Sequence, residues 1–258
     1  MQITGNTILI TGGGSGIGRA LAESFHSLGN QVIITGRRQV LLQAVTAANP
    51  GMKSLVLDVR DPAKLKSFTV QAAAQFPELN VLINNAGIMK TEDLKRTPIY
   101  LTDAEATIET NLLAPIRLTA ALLPLLEKQS HAAIVAVSSG LAFLPLAVTP
   151  TYCATKAAIH SYMQSLRYQL KDTPIQVIEL IPPYVQTELM GPGQASDPNA
   201  MPLKDFIAET MNILKTAPQA VEICVERVKP LRFAEANGSY DAFFQKFNAA
   251  MASAAAAH

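Results

Sequence analysis

The chain has 258 residues, 49% hydrophobic and 16% charged, with 21 Lys+Arg against 20 Asp+Glu and a formal net charge of +1. One domain of this length buries enough surface to need no disulfide or structural metal, and two cysteines, Cys153 and Cys224, are too few for either. The balanced charge lacks the concentrated Lys and Arg that bind nucleic acid or an anionic membrane, so the expected partner is a small molecule, with no metal.

The amino terminus, Met1 to Asn6, has no basic region followed by an apolar stretch. No apolar run reaches the roughly 18 residues of a membrane span. The chain is therefore expected to be cytoplasmic, with both cysteines as free thiols.

Short β-branched runs then alternate with helical patterns: Thr7 to Thr11 and Gly16 to Leu28, Gln31 to Thr35 and Gln39 to Ala48, Leu55 to Leu57 and Pro62 to Phe76. The series continues with a strand at Val81 to Asn84, one long helix near Asp103 to Glu127 and a strand at Ala132 to Val137. A helix near Thr151 to Lys171 and a strand at Ile175 to Leu180 complete it. Strands separated by helices and apolar on both sides require a parallel sheet covered on both faces, a single-domain doubly wound (Rossmann-type) α/β fold.

After Ile181 the prolines and glycines Pro182, Pro183, Gly191, Pro192, Gly193, Pro198 and Pro202 predict a long loop of the functional kind, within a substrate segment of about 182–215. A helix resumes near Leu203, and another is predicted from Pro218 to about Val228, with no seventh strand apparent. Asn237-Gly238 reads as a turn and Tyr240 to Phe247 as a short helix. Residues 1–248 form the expected catalytic domain, and 249–258 an Ala-rich tail.

The first strand runs into Gly12-Gly13-Gly14-Ser15-Gly16-Ile17-Gly18 and straight on into a helix. Glycines there let the backbone turn sharply, approach a pyrophosphate closely and aim helix amides at the anion. Sites that select NAD place an acid at the end of the second strand, roughly 20 positions on, to accept bonds from the ribose 2′-hydroxyl. Here Gly36 stands in that place and Arg37 and Arg38 follow, a pair suited to a 2′-phosphate, so NADP (NADPH) is expected in preference to NAD.

Tyr152 and Lys156, four apart at a helix start, share one face, and Ser139 follows a strand at the sheet's carboxyl edge. With Thr11 to Gly18 and Asn84-Asn85-Ala86-Gly87, these motifs in this order strongly resemble the short-chain dehydrogenase/reductase family over about Thr7 to Thr187. The resemblance implies that Tyr152 exchanges the substrate proton, Lys156 holds the nicotinamide ribose and lowers the Tyr152 pKa, and Ser139 hydrogen-bonds the carbonyl. Asn111 matches the family's fourth catalytic position. Pro115 has no amide hydrogen for the Asn111 carbonyl, which would then need another donor, such as a water linking it to Lys156. The resemblance also implies that Asp58, beside Val59, reaches the adenine edge and that Asn84, Asn85, Ala86 and Gly87 shape the adenosine ribose side. Asp58 is an alternative cap for the helix starting near Pro62, a role for which Asp61 is better placed.

After the sixth strand the family usually has Pro-Gly, whereas this chain has Pro182-Pro183, so the loop must differ locally. Val185 and Thr187 still fit the pattern at the nicotinamide amide. Leu141 to Val148, with Leu189 and Met190, are apolar, and no Arg or Lys occurs between Gly140 and Thr155 or between Ile181 and Ala200. A neutral, mainly apolar carbonyl or secondary alcohol is the expected substrate. Apolar positions beyond one stripe, Leu118, Leu122, Leu125, Ile159, Met163 and Leu166, predict a second contact surface and a homodimer or homotetramer. The alternative is a dinucleotide-binding regulatory protein without turnover.

Overall fold

The computed structural model describes residues 1–95 and 101–256. Seven parallel strands form one sheet: β1 (Thr7–Thr11), β2 (Gln31–Gly36), β3 (Lys53–Val56), β4 (Leu79–Asn84), β5 (Ala132–Val137), β6 (Ile175–Ile181) and β7 (Glu222–Cys224), in the order β3-β2-β1-β4-β5-β6-β7. The order reverses between β1 and β4, which opens a crevice at the strands' carboxyl ends, where ligands of such sheets bind.

Alternation along the strands divides the interior into two cores. Ile8, Ile10, Val32, Ile34, Val81 and Ile83 face one side, where Leu21, Ala22 and Phe25 of α1 (Gly16–Ser27) and Phe206 and Leu214 of α8 (Leu203–Thr216) cover them. Leu9, Ile33, Leu82 and Ile134 face the other. There they meet α3 (Pro62–Gln75), α5 (Ala114–Leu126) and α6 (Pro150–Gln169). The remaining helices are α2 (Gln39–Ala48), α4 (Thr102–Ile108), α7 (Pro192–Ala195), α9 (Lys229–Arg232) and α10 (Tyr240–Ala256).

Several expectations change. The seventh strand lies where a helix was predicted: Glu222, Ile223 and Cys224 pair with Glu179, Leu180 and Ile181. Three residues are too few to show a strand's two-residue period, so tertiary pairing decides. The long helix near Asp103 to Glu127 is broken into α4 and α5 by a wider π turn over Glu109–Leu113. The 182–202 stretch contains α7 and a bridge between Val185 and Met201, and α8 occupies most of the rest of the expected substrate segment. The Ala-rich tail is helical, α10 continuing to Ala256, while Ala257 and His258 lie outside the described residues.

The expected second contact surface is interior. Leu118, Leu122, Ile159, Met163 and Leu166 are buried in the second core, and Leu125 packs against it partly exposed. Among the described residues no helix is long and apolar enough to cross a membrane.

Candidate active site

The glycine loop is strapped in place from β4. Thr11 Oγ1 accepts hydrogen bonds from the amides of Asn85 and Ala86, each at 3.0 Å, and Asn85 Nδ2 donates to the Thr11 carbonyl at 2.8 Å. The Asn85 side chain is thus turned into the loop that it holds. A Cβ at Gly18 would overlap Asn85 Nδ2 and stand 2.5 Å from the Gly12 carbonyl oxygen, while one at Gly13 would stand 2.5 Å from Ile34 Cγ2. Gly12 and Gly16 have φ of +69° and +54°, which favour glycine.

Ser15 precedes α1 without capping it by its side chain, and the first turn of α1, with Ile17, carries no acid. Free amides and the positive end of the helix dipole therefore face the loop, which fits an anionic pyrophosphate. A Cβ at Gly14 would stand 3.4 Å from Leu41 Cβ and 3.8 Å from the Leu42 amide nitrogen, both ordinary contact distances.

The end of β2 brings its guanidiniums alongside. Arg38 Nη2 donates to Ser15 Oγ at 3.0 Å, which places this cation at the anion cradle, and Arg37 is exposed. Asp58 is gripped by Arg60, at 2.8 and 3.2 Å, which holds its carboxyl below the usual carboxylate range. Asp61, and not Asp58, caps α3 by accepting from Ala63 and Lys64. Val59 packs into the second core, leaving only its backbone for any ligand.

The centre of the site lies where β4, the π turn, β5 and α6 converge. Ser139 leaves the end of β5, and its Oγ accepts the Leu141 amide at 3.1 Å, capping a 3₁₀ turn at Gly140–Ala142. Tyr152 and Lys156 project from one face of α6, both buried, with Lys156 Nζ 5.5 Å from the Tyr152 ring centroid and donating to the Val137 carbonyl at 2.7 Å. Asn111 ties the π turn to the β4 loop. Its side chain donates to the Ile88 carbonyl and accepts the Ile88 amide, both at 2.9 Å, and its Nδ2 reaches Thr155 Oγ1 at 3.3 Å. A Cβ on Gly87 would stand 3.4 Å from Asn111 Oδ1 and 3.7 Å from Lys156 Nζ, so the loop, the π turn and the lysine meet at that glycine.

The π turn answers the problem posed by Pro115. A ring without an amide hydrogen cannot continue the ordinary ladder, and the Ala114 amide reaches back five residues to the Glu109 carbonyl. Asn84 is more remote, its amide donating to Thr119 Oγ1 at 3.1 Å inside the second core. Burial pushes the Tyr152 phenol up to about 12, against the lowering influence of its hydrogen bond with Ser139. Burial also brings Lys156 down to about 8, opposed by the charge of Glu179. The neighbouring Cys153 adds to the rise of the phenol, and the Ser139 hydrogen bond is the influence that lowers it.

The loop after β6 packs beside the glycine loop, since a Cβ on Gly16 would stand 3.5 Å from Thr187 Cγ2. Pro182 accepts the Gly140 amide at 2.9 Å, which joins this loop to the turn after Ser139. Gln194, absent from the sequence-based site, organises the loop. Its Nε2 donates to the Val185 carbonyl at 2.8 Å and to Thr187 Oγ1 at 3.1 Å, and its Oε1 accepts the Met190 amide at 2.9 Å. A glutamine between Gly193 and Ala195 carries no period that would announce this role.

A parallel sheet with a glycine-rich first turn and a Ser, Tyr and Lys at its carboxyl edge defines a dinucleotide-binding α/β oxidoreductase scaffold. The sequence model of the short chain dehydrogenase family matches residues 6–197. The chain belongs to the short-chain dehydrogenase/reductase family of NAD(P)-dependent oxidoreductases.

Among its relatives, the uncharacterized oxidoreductase DltE of Bacillus subtilis (strain 168) is 43% identical over 251 residues, covering 96% of this chain and 98% of that protein. The 3-oxoacyl-[acyl-carrier-protein] reductase FabG of Escherichia coli (strain K12) is 32% identical over 194 residues, 73% of this chain and 77% of the relative. Among solved structures, the closed form of a serine dehydrogenase complexed with NADP+ has 27% identity and a TM-score of 0.75, covering 84% of this chain and 91% of its own. A Sphingobium yanoikuyae short-chain dehydrogenase in complex with NADPH has 26% identity and a TM-score of 0.77, covering 93% and 95%.

Proposed function

We propose that this oxidoreductase transfers hydride between NADP(H) and a neutral, mainly apolar carbonyl or secondary alcohol, with Tyr152 exchanging the proton. The observation that carries the reading is the convergence of Ser139, Tyr152 and Lys156 beside a glycine loop flanked by Arg38. Bound dinucleotide supplies the hydride or accepts it.

In carbonyl reduction Ser139 Oγ donates to the carbonyl oxygen and orients it toward the phenol. Tyr152 Oη gives that oxygen its proton, and the buried Lys156 ammonium stabilises the phenolate that forms. The phenol's high resting pKa keeps the proton in place until charge develops on the substrate oxygen. Asn111 is a positioning residue, holding the Ile88 backbone and Thr155 together beside Lys156. Val185, Thr187 and Pro182 lie on the loop that meets the glycine turn, and that placement supports a nicotinamide-side role.

Substrate polarity is read from the walls. Tyr152 shares a small cluster with Met89, Leu146 and Cys153, against which Leu141 packs. The Glu92 carboxylate next to α6 is already engaged by the Thr151 amide and hydroxyl, at 3.1 and 2.8 Å. The family resemblance further supports a homodimer or homotetramer, and light scattering showing a monomer at micromolar concentration overturns that part.

The test is a panel of ketones and secondary alcohols assayed with NADPH/NADP and NADH/NAD, alongside Tyr152→Phe. The variant should keep its cofactor affinity and lose turnover by about 10²- to 10⁴-fold. Substantial residual activity removes Tyr152 from the proton-transfer role.

A further inference from the structure

The family match ends at residue 197, yet the last helix returns to the centre of the site. Tyr240, Phe243, Phe244, Phe247 and Asn248 are half-buried positions of α10, spaced to share one face. Phe247 packs against the cluster of Met89, Leu146, Tyr152 and Cys153, and Phe243 supports it edge-on with ring centroids 6.2 Å apart.

Asn248 sets the register of this contact. Its Oδ1 accepts the Ala147 amide at 2.6 Å, and its Nδ2 donates to the Pro145 carbonyl at 3.1 Å and to the Phe244 carbonyl at 3.0 Å. The carboxamide thus uses both ends to dock α10 on the backbone that follows Ser139, across a separation of 101 to 103 residues. Leu141 and this helix therefore both pack against the small cluster that contains Tyr152.

We propose that Phe247, positioned by Asn248, is a specificity-determining residue that receives the apolar group of the substrate and favours carbonyl compounds with an extended hydrocarbon chain. The inference rests on the oxidoreductase reading above and deepens it. An aromatic ring that stays partly exposed while touching the cluster of the proton-exchanging tyrosine offers an apolar surface and no hydrogen-bonding group. Each methylene laid on such a surface contributes about 0.8 kcal/mol, close to fourfold in affinity, so chain length is the sensitive readout.

The experiment compares the unmodified protein with Phe247→Ala, Phe247→Leu and Asn248→Ala on straight-chain 2-ketones from acetone to 2-decanone. Phe247→Ala should lower kcat/KM for the long ketones by about 10- to 100-fold, mostly through KM, and for acetone by less than about threefold; Phe247→Leu should recover most of the loss. NADPH affinity, followed by fluorescence, should be unchanged in all three variants.

A second measurement is independent of turnover. Cys153 lies in the same cluster and burial raises its thiol pKa, so it should alkylate slowly with iodoacetamide. Opening that packing in Phe247→Ala or Asn248→Ala should speed that reaction about tenfold relative to Cys224. An unchanged ratio shows that α10 does not cover the site and overturns the proposal. A chain-length profile that Phe247→Ala leaves unaltered overturns it as well, with the oxidoreductase reading intact. If the unmodified protein turns over no carbonyl or alcohol, the functional reading falls and takes the substrate contact with it.

Discussion

His160, one helical turn from Lys156 along α6, has its Nδ1 2.7 Å from Oε2 of Glu179, a wholly buried residue of β6. Among the described residues the other carboxylate oxygen, Oε1, has no hydrogen-bond partner. His160 and Glu179 approach Glu222 closely enough for ligand atoms of all three to lie within 4.8 Å of one another, but Glu222 is held by both Nε and Nη2 of Arg232, at 2.8 and 3.0 Å. A guanidinium thus supplies the positive charge here. His160→Ala strips the Glu179 carboxylate of its hydrogen bond with His160 and should cost about 1 to 3 kcal/mol, the usual penalty for leaving a buried polar group unsatisfied. Glu179→Gln keeps a side-chain amide of the same size that can still hydrogen-bond His160 and should cost less. Urea unfolding of the two variants measures the difference, and equal losses would show that His160 is not what makes the carboxylate tolerable.

The lysine in front of that pair is expensive to bury. Lys156 falls from an ordinary 10.5 to about 8 in the folded chain. Between pH 8 and 10.5 the unfolded chain therefore holds more protons than the folded one, so stability rises with pH across that window, and the burial penalty is fully present below pH 8. The gap corresponds to about 3 kcal/mol. Lys156→Met should recover part of it, about 1 to 2 kcal/mol at pH 7 once the orphaned Val137 carbonyl is counted, while turnover is lost. The Tyr152 phenol, raised from 10 to about 12, acts in the opposite sense, and stability should fall between those pH values. Thermal melts of both proteins from pH 7 to 11 check this: the rising limb should be present in the native chain and flattened in Lys156→Met.

Short apolar β-branched runs and the 3.6-residue period made most of the strands and the crossover helices legible, whereas β3, expected at Leu55 to Leu57, runs over Lys53–Val56 and has no fully buried residue. β7 escaped because Glu222 to Cys224 is held by the edge of β6 and not by its own pattern. The π turn at Glu109–Leu113 was foreshadowed by Pro115, whose missing amide demanded some rearrangement, but the side-chain pairing of Asn111 with Ile88 needs the fold to bring the two together. Tyr152, Lys156 and Ser139 could be named from motif order, whereas Gln194, Phe247 and Asn248 lie in stretches without a motif and gain meaning only from long-range contacts. The apolar residues of α5 and α6 show the opposite error. Their number suggested an outer face, yet the sheet and α3 absorb nearly all of them.

Among the glycines, space and not backbone angle decides position 18. Gly18→Ala would drive a methyl group into Asn85 Nδ2 and the Gly12 carbonyl, moving the strap that holds the loop. It should cost about 1 to 3 kcal/mol as local overpacking and weaken dinucleotide binding at least tenfold. Gly193→Ala, in α7 with nothing within 4 Å of the new methyl, should be neutral or slightly stabilising. Calorimetric titration of dinucleotide into both variants separates the two cases, and wild-type affinity in Gly18→Ala would mean that the cradle tolerates a shift of Asn85.

The proposed preference for NADPH rests on Gly36, Arg37 and Arg38. A 2′-phosphate brings negative charge and needs donors, whereas a ribose 2′-hydroxyl rewards an acceptor, and Gly36 at the end of β2 has no side chain to offer. Arg38 already points at the cradle through Ser15 Oγ, so its guanidinium is in place for a phosphate before any ligand binds. Arg37 is exposed and near enough to Asp58 to lower its pKa. Charge-assisted hydrogen bonds contribute about 1.5 to 3 kcal/mol each, roughly 10- to 150-fold in affinity. Arg37→Ala and Arg38→Ala should each weaken NADPH binding toward that range and leave NADH binding nearly unchanged, the Arg38 effect being reduced by the loss of a competing bond to Ser15. Gly36→Asp should reverse the preference by repelling the phosphate while accepting from a 2′-hydroxyl. Paired titrations with NADPH and NADH decide the matter: tighter binding of NADH by the unmodified chain would show that these arginines serve the fold of the β2 end and not the ligand.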